Sequence, residues 1–384
     1  MSRTIEIRAG FLPLLDSAVL VAAAQEGFAE ARGIHLKLSR ETSWATIRDR
    51  MGVGHFDVAH MLAPMPIAAS LGIGPLAVPM IAPMVLALGG NAVTVSQAVA
   101  ATMETVRPLG SGPADAGAAL RTVVERRKAK GEPPLRFAVV HPHSSHNYDL
   151  RYWLAASGIA PERDVDITVV PPPLVPDALA GGQIDGFCVG EPWSTIAVRR
   201  SAGAIVTTKA EIWRRSPEKV LGVARGFAEE RPDALERLIL ALADAAAWCD
   251  DPANHLALAA LLAAPENLGL AETNLLPALA GRLEVSPGRH LVIPDFIVFH
   301  ASGANRPDPR QGRWLLRQMV RWGDAPLSPE SLAVAGDVFR PDLYRQALGE
   351  GPEANSEASG SSDVADGPDV PPGLFDREAG VADA

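Results

Sequence analysis

Three histidines, His141, His143 and His146, stand in an H-x-H-x-x-H pattern. Imidazole is a common metal ligand, but no carboxylate or thiol adjoins the three until Asp149, so the pattern reads against a metal site. Lys219, in Ser216-Pro217-Glu218-Lys219, offers one cation, and Asn91, after Gly89-Gly90, offers an amide. Trp44, after the polar run Glu41-Thr42-Ser43, offers an indole N–H. Each has a plainer reading: a tryptophan in a core or on a rim, a solvated lysine, an asparagine serving a turn. Arg310, Arg313, Arg317 and Arg321 share one helical face, either a solvated stripe or a docking face for a partner. Cys188 and Cys249 are too far apart for a disulfide framework or a zinc pattern and read as reduced thiols. The chain has no Ser-His-Asp constellation, P-loop or G-x-G-x-x-G stretch that would support catalysis.

The chain that must position these groups has 384 residues, enough for two lobes with a core each. Its net charge of -10 argues against a surface that tracks phosphates. The first ten residues contain no apolar leader core and no lipobox cysteine, and they run at once into the alternating Ile5-Glu6-Ile7-Arg8. The expectation from this is a chain that stays in the cytoplasm. Residues 58–88 are apolar enough to suggest a membrane span, but Pro64, Pro66, Pro75, Pro79 and Pro83 would break a lipid-exposed helix there.

Periodicity predicts a strand over 4–10, a helix over 18–32 capped by Asp16 or Ser17, and a strand over 34–39. A helix over 47–53, a strand over 56–60, a helix over 65–71 and extended chain over 80–88 and 92–96 follow. The pattern then repeats, with helices over 114–130, 147–156 and 175–180 and strands over 136–140, 165–170 and 184–189. Such alternation implies parallel α/β sheets with helices on both faces. Beyond Trp213 the expectation is long helices, over 232–249, 255–262, 271–279 and 310–322. The end of the chain, 349–384, is rich in Gly, Ser, Pro, Asp and Glu and reads as a disordered acidic tail.

Four ordered segments are more specific than any single residue. Ser43-Trp44-Ala45-Thr46-Ile47-Arg48-Asp49 with Gly54-His55-Phe56-Asp57-Val58-Ala59-His60 is the first, and Ser145-His146 with Leu150-Arg151-Tyr152-Trp153 the second. Phe187-Cys188-Val189-Gly190-Glu191-Pro192-Trp193 and Trp213-Arg214-Arg215-Ser216-Pro217-Glu218-Lys219 complete the set. Together, over about 5–348, they resemble the nitrate/bicarbonate branch of ABC-transporter substrate-binding proteins, the NrtA/CmpA family. The resemblance implies an α/β type II periplasmic-binding-protein fold, two lobes joined by two crossover strands around a ligand cleft. Lobe one would comprise 1–95 and the helical 206–348, and lobe two 96–205.

The resemblance also implies a ligand set. Trp44, His146 and Lys219 match the family's nitrate-binding tryptophan, histidine and lysine, and Asn91 stands where the family has a glutamine. Gly190 and Glu191 fall in an element read mainly as hinge and cleft wall. Nitrate or nitrite brings one negative charge and several acceptor oxygens, so one lysine and neutral donors around a plane would suit it. A bicarbonate-binding branch uses calcium and lacks the lysine, so keeping Lys219 argues for nitrate and against a metal. No cofactor and no enzymatic activity are expected. With no leader visible, the resemblance points to the family's cytoplasmic sensors of the NasS type, which hold a NasT-like RNA-binding antiterminator and release it when nitrate or nitrite binds. The alternatives are the binding component of a nitrate transporter and a thiamin-pyrimidine synthase-like enzyme built on His60 or His146 with pyridoxal phosphate.

Overall fold

In the computed structural model, which describes residues 4–350 and 374–375, the strands in chain order are β1 Ile5–Phe11, β2 Ile34–Arg40, β3 Val58–Leu62, β4 Met80–Ile81, β5 Val85–Gly89, β6 Asn91–Ser96, β7 Leu135–Val139, β8 Val165–Val169, β9 Gly186–Gly190, β10 Gly203–Thr208, β11 Pro217–Ala224, β12 Arg282–Ser286, β13 Arg289–Val292 and β14 Ile297–Val298. They form two main sheets. The first runs β14-β5-β11-β3-β1-β2, with β4 also on β11, and the second runs β10-β6-β9-β7-β8. Ile7 and Ala9 of β1 and Ile34 and Leu36 of β2 are buried under the helices Ala18–Gln25 and Pro232–Asp250. That burial is the physical basis of the alternation seen in β1.

The two lobes, one per sheet, are therefore present, but the sheets are mixed rather than parallel. β1 pairs parallel with β2 and β3, whereas β11 pairs antiparallel with β3, β4 and β5. In the second sheet β6 is antiparallel to β9 and β10. A chain that leaves one sheet and later returns must insert its returning strands against the local direction, which periodicity alone does not reveal. The crossings fall at 89–90 and 209–216, because β6 and β10 lie wholly in the second sheet; the expected boundaries at 95 and 206 cut through both strands.

Gly89 and Gly90 make the first crossing with φ of 69° and 87°. A β-carbon on Gly89 would sit 2.3 Å from the Phe296 carbonyl oxygen, so glycine is required there for space as well as for conformation. The helix expected over 18–32 is split at Gly27, whose φ of 85° interrupts it, into Ala18–Gln25 and Phe28–Ala31. β11 and the β12–β13 hairpin were hidden in a stretch read as helical. The helix Pro309–Arg321 packs against Pro329–Val338, where the close approach of Gly312 to the Ala335 carbonyl leaves no room for a β-carbon. That pair is pinned to the first lobe through Ala82, whose N–H donates to Val338 and whose carbonyl accepts from Arg340. Among the described residues no helix is long and apolar enough to cross a membrane.

Most of the tail read as disordered, 349–384, lies outside the described residues. Leu374 and Phe375 do not fit that reading. Leu374 forms an antiparallel bridge with Trp213, and the Phe375 N–H donates to the Ile212 carbonyl at 3.0 Å. Leu374 is buried and Phe375 half-buried against neighbouring aromatic side chains, a burial that the polar sequence around them does not offer.

Candidate functional site

Three helices start at the cleft, each with a side-chain cap. Ser43 caps Trp44–Gly52 by accepting from the Thr46 N–H, and Ser144 caps Ser145–Ala156 by accepting from the Asn147 N–H. Thr208 and Glu211 form a capping box on the short helix Lys209–Ile212. The caps place Trp44, His146 and Lys209 in first helical turns, where the positive end of the backbone dipole favours a nearby anion. On the strand side, β3 carries His60, β6 carries Asn91, and β11 carries Glu218 and Lys219.

The four residues singled out in the sequence meet around one carboxylate, that of Glu218. Asn91 Nδ2 donates to Glu218 Oε2 at 2.6 Å, and Lys219 Nζ donates to Glu218 Oε1 at 2.6 Å. His146 Nε2 lies 2.8 Å from the same Oε1, though the ring N–H is not aligned for a hydrogen bond. Trp44 presents its ring 5.4 Å from Lys219 Nζ, a cation–π contact. Neighbours on a strand normally face opposite ways. Glu218 and Lys219 share the cleft because β11 carries an extra residue there: Pro217 pairs with Leu88 and Lys219 with Ala87, leaving Glu218 in a bulge.

Five further residues complete the network, and none was assigned to it from the sequence. Asp16 or Ser17 was read as a helix cap; no side-chain cap forms there, and Asp16 Oδ2 instead pairs with Lys219 Nζ at 2.7 Å. Glu218 itself was quoted only as part of the Pro-Glu-Lys motif. Lys209 Nζ bridges Asp149 Oδ2 at 2.5 Å and Glu218 Oε2 at 3.2 Å. His60 lies with Nε2 3.0 Å from Asp16 Oδ1, out of hydrogen-bond alignment, and its ring 5.3 Å from that of Trp44. Asp149 had a usable signal, since it follows His146 by one helical turn on the same face. Glu218 adjoins the lysine but is masked by the strand-alternation rule, and Lys209 sits in a polar stretch typical of any helix start.

The charges decide what the site can hold. Burial works against the Glu218 carboxylate, yet Lys219, His146 and Lys209 hold its pKa well below the ordinary value. Burial likewise opposes ionisation of Asp16, but Lys219 and His60 pull its pKa down. Burial would lower Lys209, and Asp149 and Glu218 outweigh it, so its pKa is raised. Burial lowers both His60 and His146, outweighing Asp16 and Glu218 respectively. Burial raises Asp149 to about 6 against the pull of Lys209. Two ammonium groups thus face three carboxylates, and Lys219 is not the single free cation that the sequence suggested.

The cleft also holds polar atoms without a partner. Trp44 Nε1, Asn91 Oδ1, Ser145 Oγ, both ring nitrogens of His60 and of His146, and Ser216 Oγ are buried with none. Each such group costs roughly 1–3 kcal/mol when desolvated and unpaired. Of these, the Trp44 indole N–H, the two serine hydroxyls and one N–H on each neutral imidazole are donors of the kind that acceptor oxygens satisfy. Gly190 pairs with Asn91 across β9 and β6, and a β-carbon on it would sit 3.2 Å from Asn91 Oδ1 and 3.4 Å from Asp16 Oδ2. It is therefore part of the wall. Glu191 turns its Oε2 to the Thr195 N–H at 3.1 Å, burial raises its carboxyl to about 7, and its Oε1 has no partner.

His141 and His143 stay apart from this network. The His143 N–H donates to His141 Nδ1 at 3.1 Å, and His143 Nδ1 lies 3.2 Å from the Tyr148 hydroxyl. Among the described residues no group of three or more His, Cys, Asp or Glu is arranged to hold a metal ion. Arg310 is exposed and paired with Asp308 at 2.7 Å.

Comparison with known proteins agrees with this geometry. Residues 2–263 match the NMT1-like family. The chain is 34% identical over 351 residues to the nitrate import ATP-binding protein NrtC of Synechocystis, covering 89% of this chain and 50% of that protein. It is 31% identical to the nitrate/nitrite binding protein NrtA of Synechococcus elongatus, covering 88% of this chain and 76% of that one. The chain thus spans about half the length of NrtC and three quarters of NrtA. The crystal structure of the periplasmic nitrate-binding protein NrtA from Synechocystis superposes with a TM-score of 0.83 at 26% identity, covering 91% of this chain and 89% of that one. With its two lobes, its cleft and these relatives, the chain belongs to the NMT1-like family, within the nitrate/bicarbonate-type substrate-binding proteins of ABC transporters.

Proposed function

We propose that this chain binds nitrate or nitrite between its lobes as the substrate-binding component of an ABC-type uptake system. The observation that carries the reading is the convergence of Trp44, Asn91, His146 and Lys219 on one buried spot lined with unpartnered polar atoms. Relatives named for nitrate binding and nitrate import support the anion and the transport role, and they support a binding rather than a catalytic protein. Bicarbonate is the natural competitor, since other relatives are named for its transport. Calorimetric titration with nitrate, nitrite, bicarbonate and sulfate tests the proposal. Saturable heat with nitrate or nitrite, lost in Lys219→Ala, is expected; binding of bicarbonate or sulfate alone overturns it.

The sequence ranked a cytoplasmic sensor first. That reading uses the same cleft and differs in what responds to it: a NasT-like RNA-binding antiterminator held by the ligand-free form and released by the anion. A ligand can drive such release only through different affinities for the free and complexed forms. The relatives named for import and binding favour the uptake role over it. Size-exclusion chromatography with such an antiterminator, with and without millimolar nitrate, separates the two: no complex in either condition removes the sensor.

A further inference from the structure

An aromatic cluster joins elements of the two lobes beside the returning crossover. Tyr152 comes from the second-lobe helix Ser145–Ala156, Trp213 from the returning crossover, and Trp314 from Pro309–Arg321, which is anchored to the first lobe. The Trp213 and Trp314 ring centres are 4.0 Å apart, and Tyr152 meets Trp314 edge-on at 6.2 Å. All three are almost fully buried.

Part of that burial comes from 374–375. The Phe375 ring meets Tyr152 edge-on at 6.0 Å, its N–H is bonded to Ile212, and Leu374 is bridged to Trp213 and buried. One dipeptide is thus tied by its backbone to the crossover and by its ring to the second lobe. Both landing residues lie close to elements that carry cleft residues. Tyr152 lies on the helix Ser145–Ala156 that also carries His146, and the Trp213 ring lies 5.7 Å from the Lys209 ammonium that bridges Asp149 and Glu218.

We propose that Leu374 and Phe375 are a latch in cis that favours the closed arrangement of the lobes and slows exchange of whatever the cleft holds. Closed lobes bring Tyr152 beside Trp314 and Trp213 and so create the seat. An open form separates these rings and leaves Phe375 nothing on the second lobe to meet. A ligand that binds one of two states shifts the equilibrium toward it, and a tethered segment does the same at high effective concentration. The proposal requires lobe motion but not any particular ligand, so it stands apart from the nitrate reading.

The experiment uses the full chain with spin labels at Lys37→Cys, on β2 of the first lobe, and Lys130→Cys, in the second lobe. Both positions are exposed, and the native Cys188 and Cys249 are buried. Distance distributions are recorded by pulsed double-resonance spectroscopy, without added anion, for three proteins: the parent, Leu374→Ser with Phe375→Ser, and a chain ending at Gly373. Hydrogen exchange of the residue-375 amide, which donates to the Ile212 carbonyl, reports docking in the parent and the double variant. Both altered proteins should gain a longer-distance population at least threefold over the parent, and the double variant should exchange faster at residue 375. Unchanged distances overturn the latch even if exchange shows that the dipeptide has left. Fast exchange of the Phe375 amide in the parent overturns it as well. If the parent fails to bind nitrate, the proposed function falls while the distance measurement still decides the latch.

Discussion

His146 Nε2 stands 2.8 Å from Glu218 Oε1 across the junction of the two lobes, one residue from each lobe, both fully buried. The same oxygen accepts from Lys219, and the other oxygen of that carboxylate accepts from Asn91 and Lys209. Glu218 therefore engages donors that an anion would need. Lys219→Ala should lose at least tenfold in nitrate affinity, given about 1.5–3 kcal/mol for a charge-assisted hydrogen bond. Equal affinity by calorimetry would remove Lys219 from the site.

Glu218→Gln separates stability from binding. Removing one partner from a buried charge network typically costs several kcal/mol, so the variant should melt well below the parent without ligand. The same change removes a negative charge beside the incoming anion. Nitrate should therefore raise the melting temperature of Glu218→Gln more than that of the parent. A smaller ligand-induced rise in the variant would show that Glu218 assists the anion.

Trp44, His146 and Lys219 could be singled out because each sits in an ordered motif, whereas Asn91 stands outside those motifs and was placed by resemblance alone. Trp44 directly follows the cap Ser43, His146 stands two residues after the cap Ser144, and Lys219 ends Pro-Glu-Lys. Asp16 was misread because an acidic residue before a helix is the usual sign of a cap, and only the tertiary approach of β11 shows its carboxylate bound to Lys219 instead. β11 was missed because the chain beyond Trp213 is dominated by helical periodicity, and the bulge that turns Glu218 into the cleft leaves no mark in sequence. The docking of Leu374 and Phe375 depends on a seat built from three distant segments, which no local pattern encodes.

Gly190 gives a test of shape. Its missing β-carbon leaves Asn91 Oδ1 and Asp16 Oδ2 in place, and an added methyl group would meet the first at 3.2 Å. Both neighbours are side-chain ends that can yield by a few tenths of an ångström, so Gly190→Ala should fold. Nitrate affinity should drop several-fold with the melting temperature changed by a few degrees at most. Undiminished affinity would place the anion away from the Asn91 side of the cleft.

Glu191 makes stability depend on pH with a definite sign. Its carboxyl titrates near 7 in the folded protein against an ordinary 4.5, because burial disfavours the charge. Between those values the folded form keeps a proton that the unfolded chain has lost. Stability is therefore full below about 4.5, falls as pH rises through the window, and reaches its floor above 7. The drop is on the order of 3 kcal/mol for a shift of this size. Glu191→Gln cannot ionise, so it should match the parent at pH 4.5 and melt higher than it at pH 8. Parallel melting curves for the two proteins across that range would remove Glu191 as the source.

Anion binding should itself take up protons. Two ammonium groups already face the carboxylates of Asp16, Glu218 and Asp149, so a further negative charge enters a site with no surplus cation. The least costly relief is protonation of the carboxyl that burial has already brought closest to neutrality in this network, Asp149 at about 6. A bound anion raises that value further by like-charge repulsion. Nitrate affinity should then be highest at and below pH 6, fall by up to about tenfold per unit between pH 6 and the raised value, and level off above it. Calorimetry at pH 7 in two buffers of different ionisation enthalpy measures the proton directly, as a difference in apparent heat between them. An uptake approaching one proton per nitrate in the parent and near zero in Asp149→Asn is the expected result. Equal heats in the two buffers for the parent would mean that the anion is balanced by displacing Asp16 or Glu218 from Lys219 rather than by a proton.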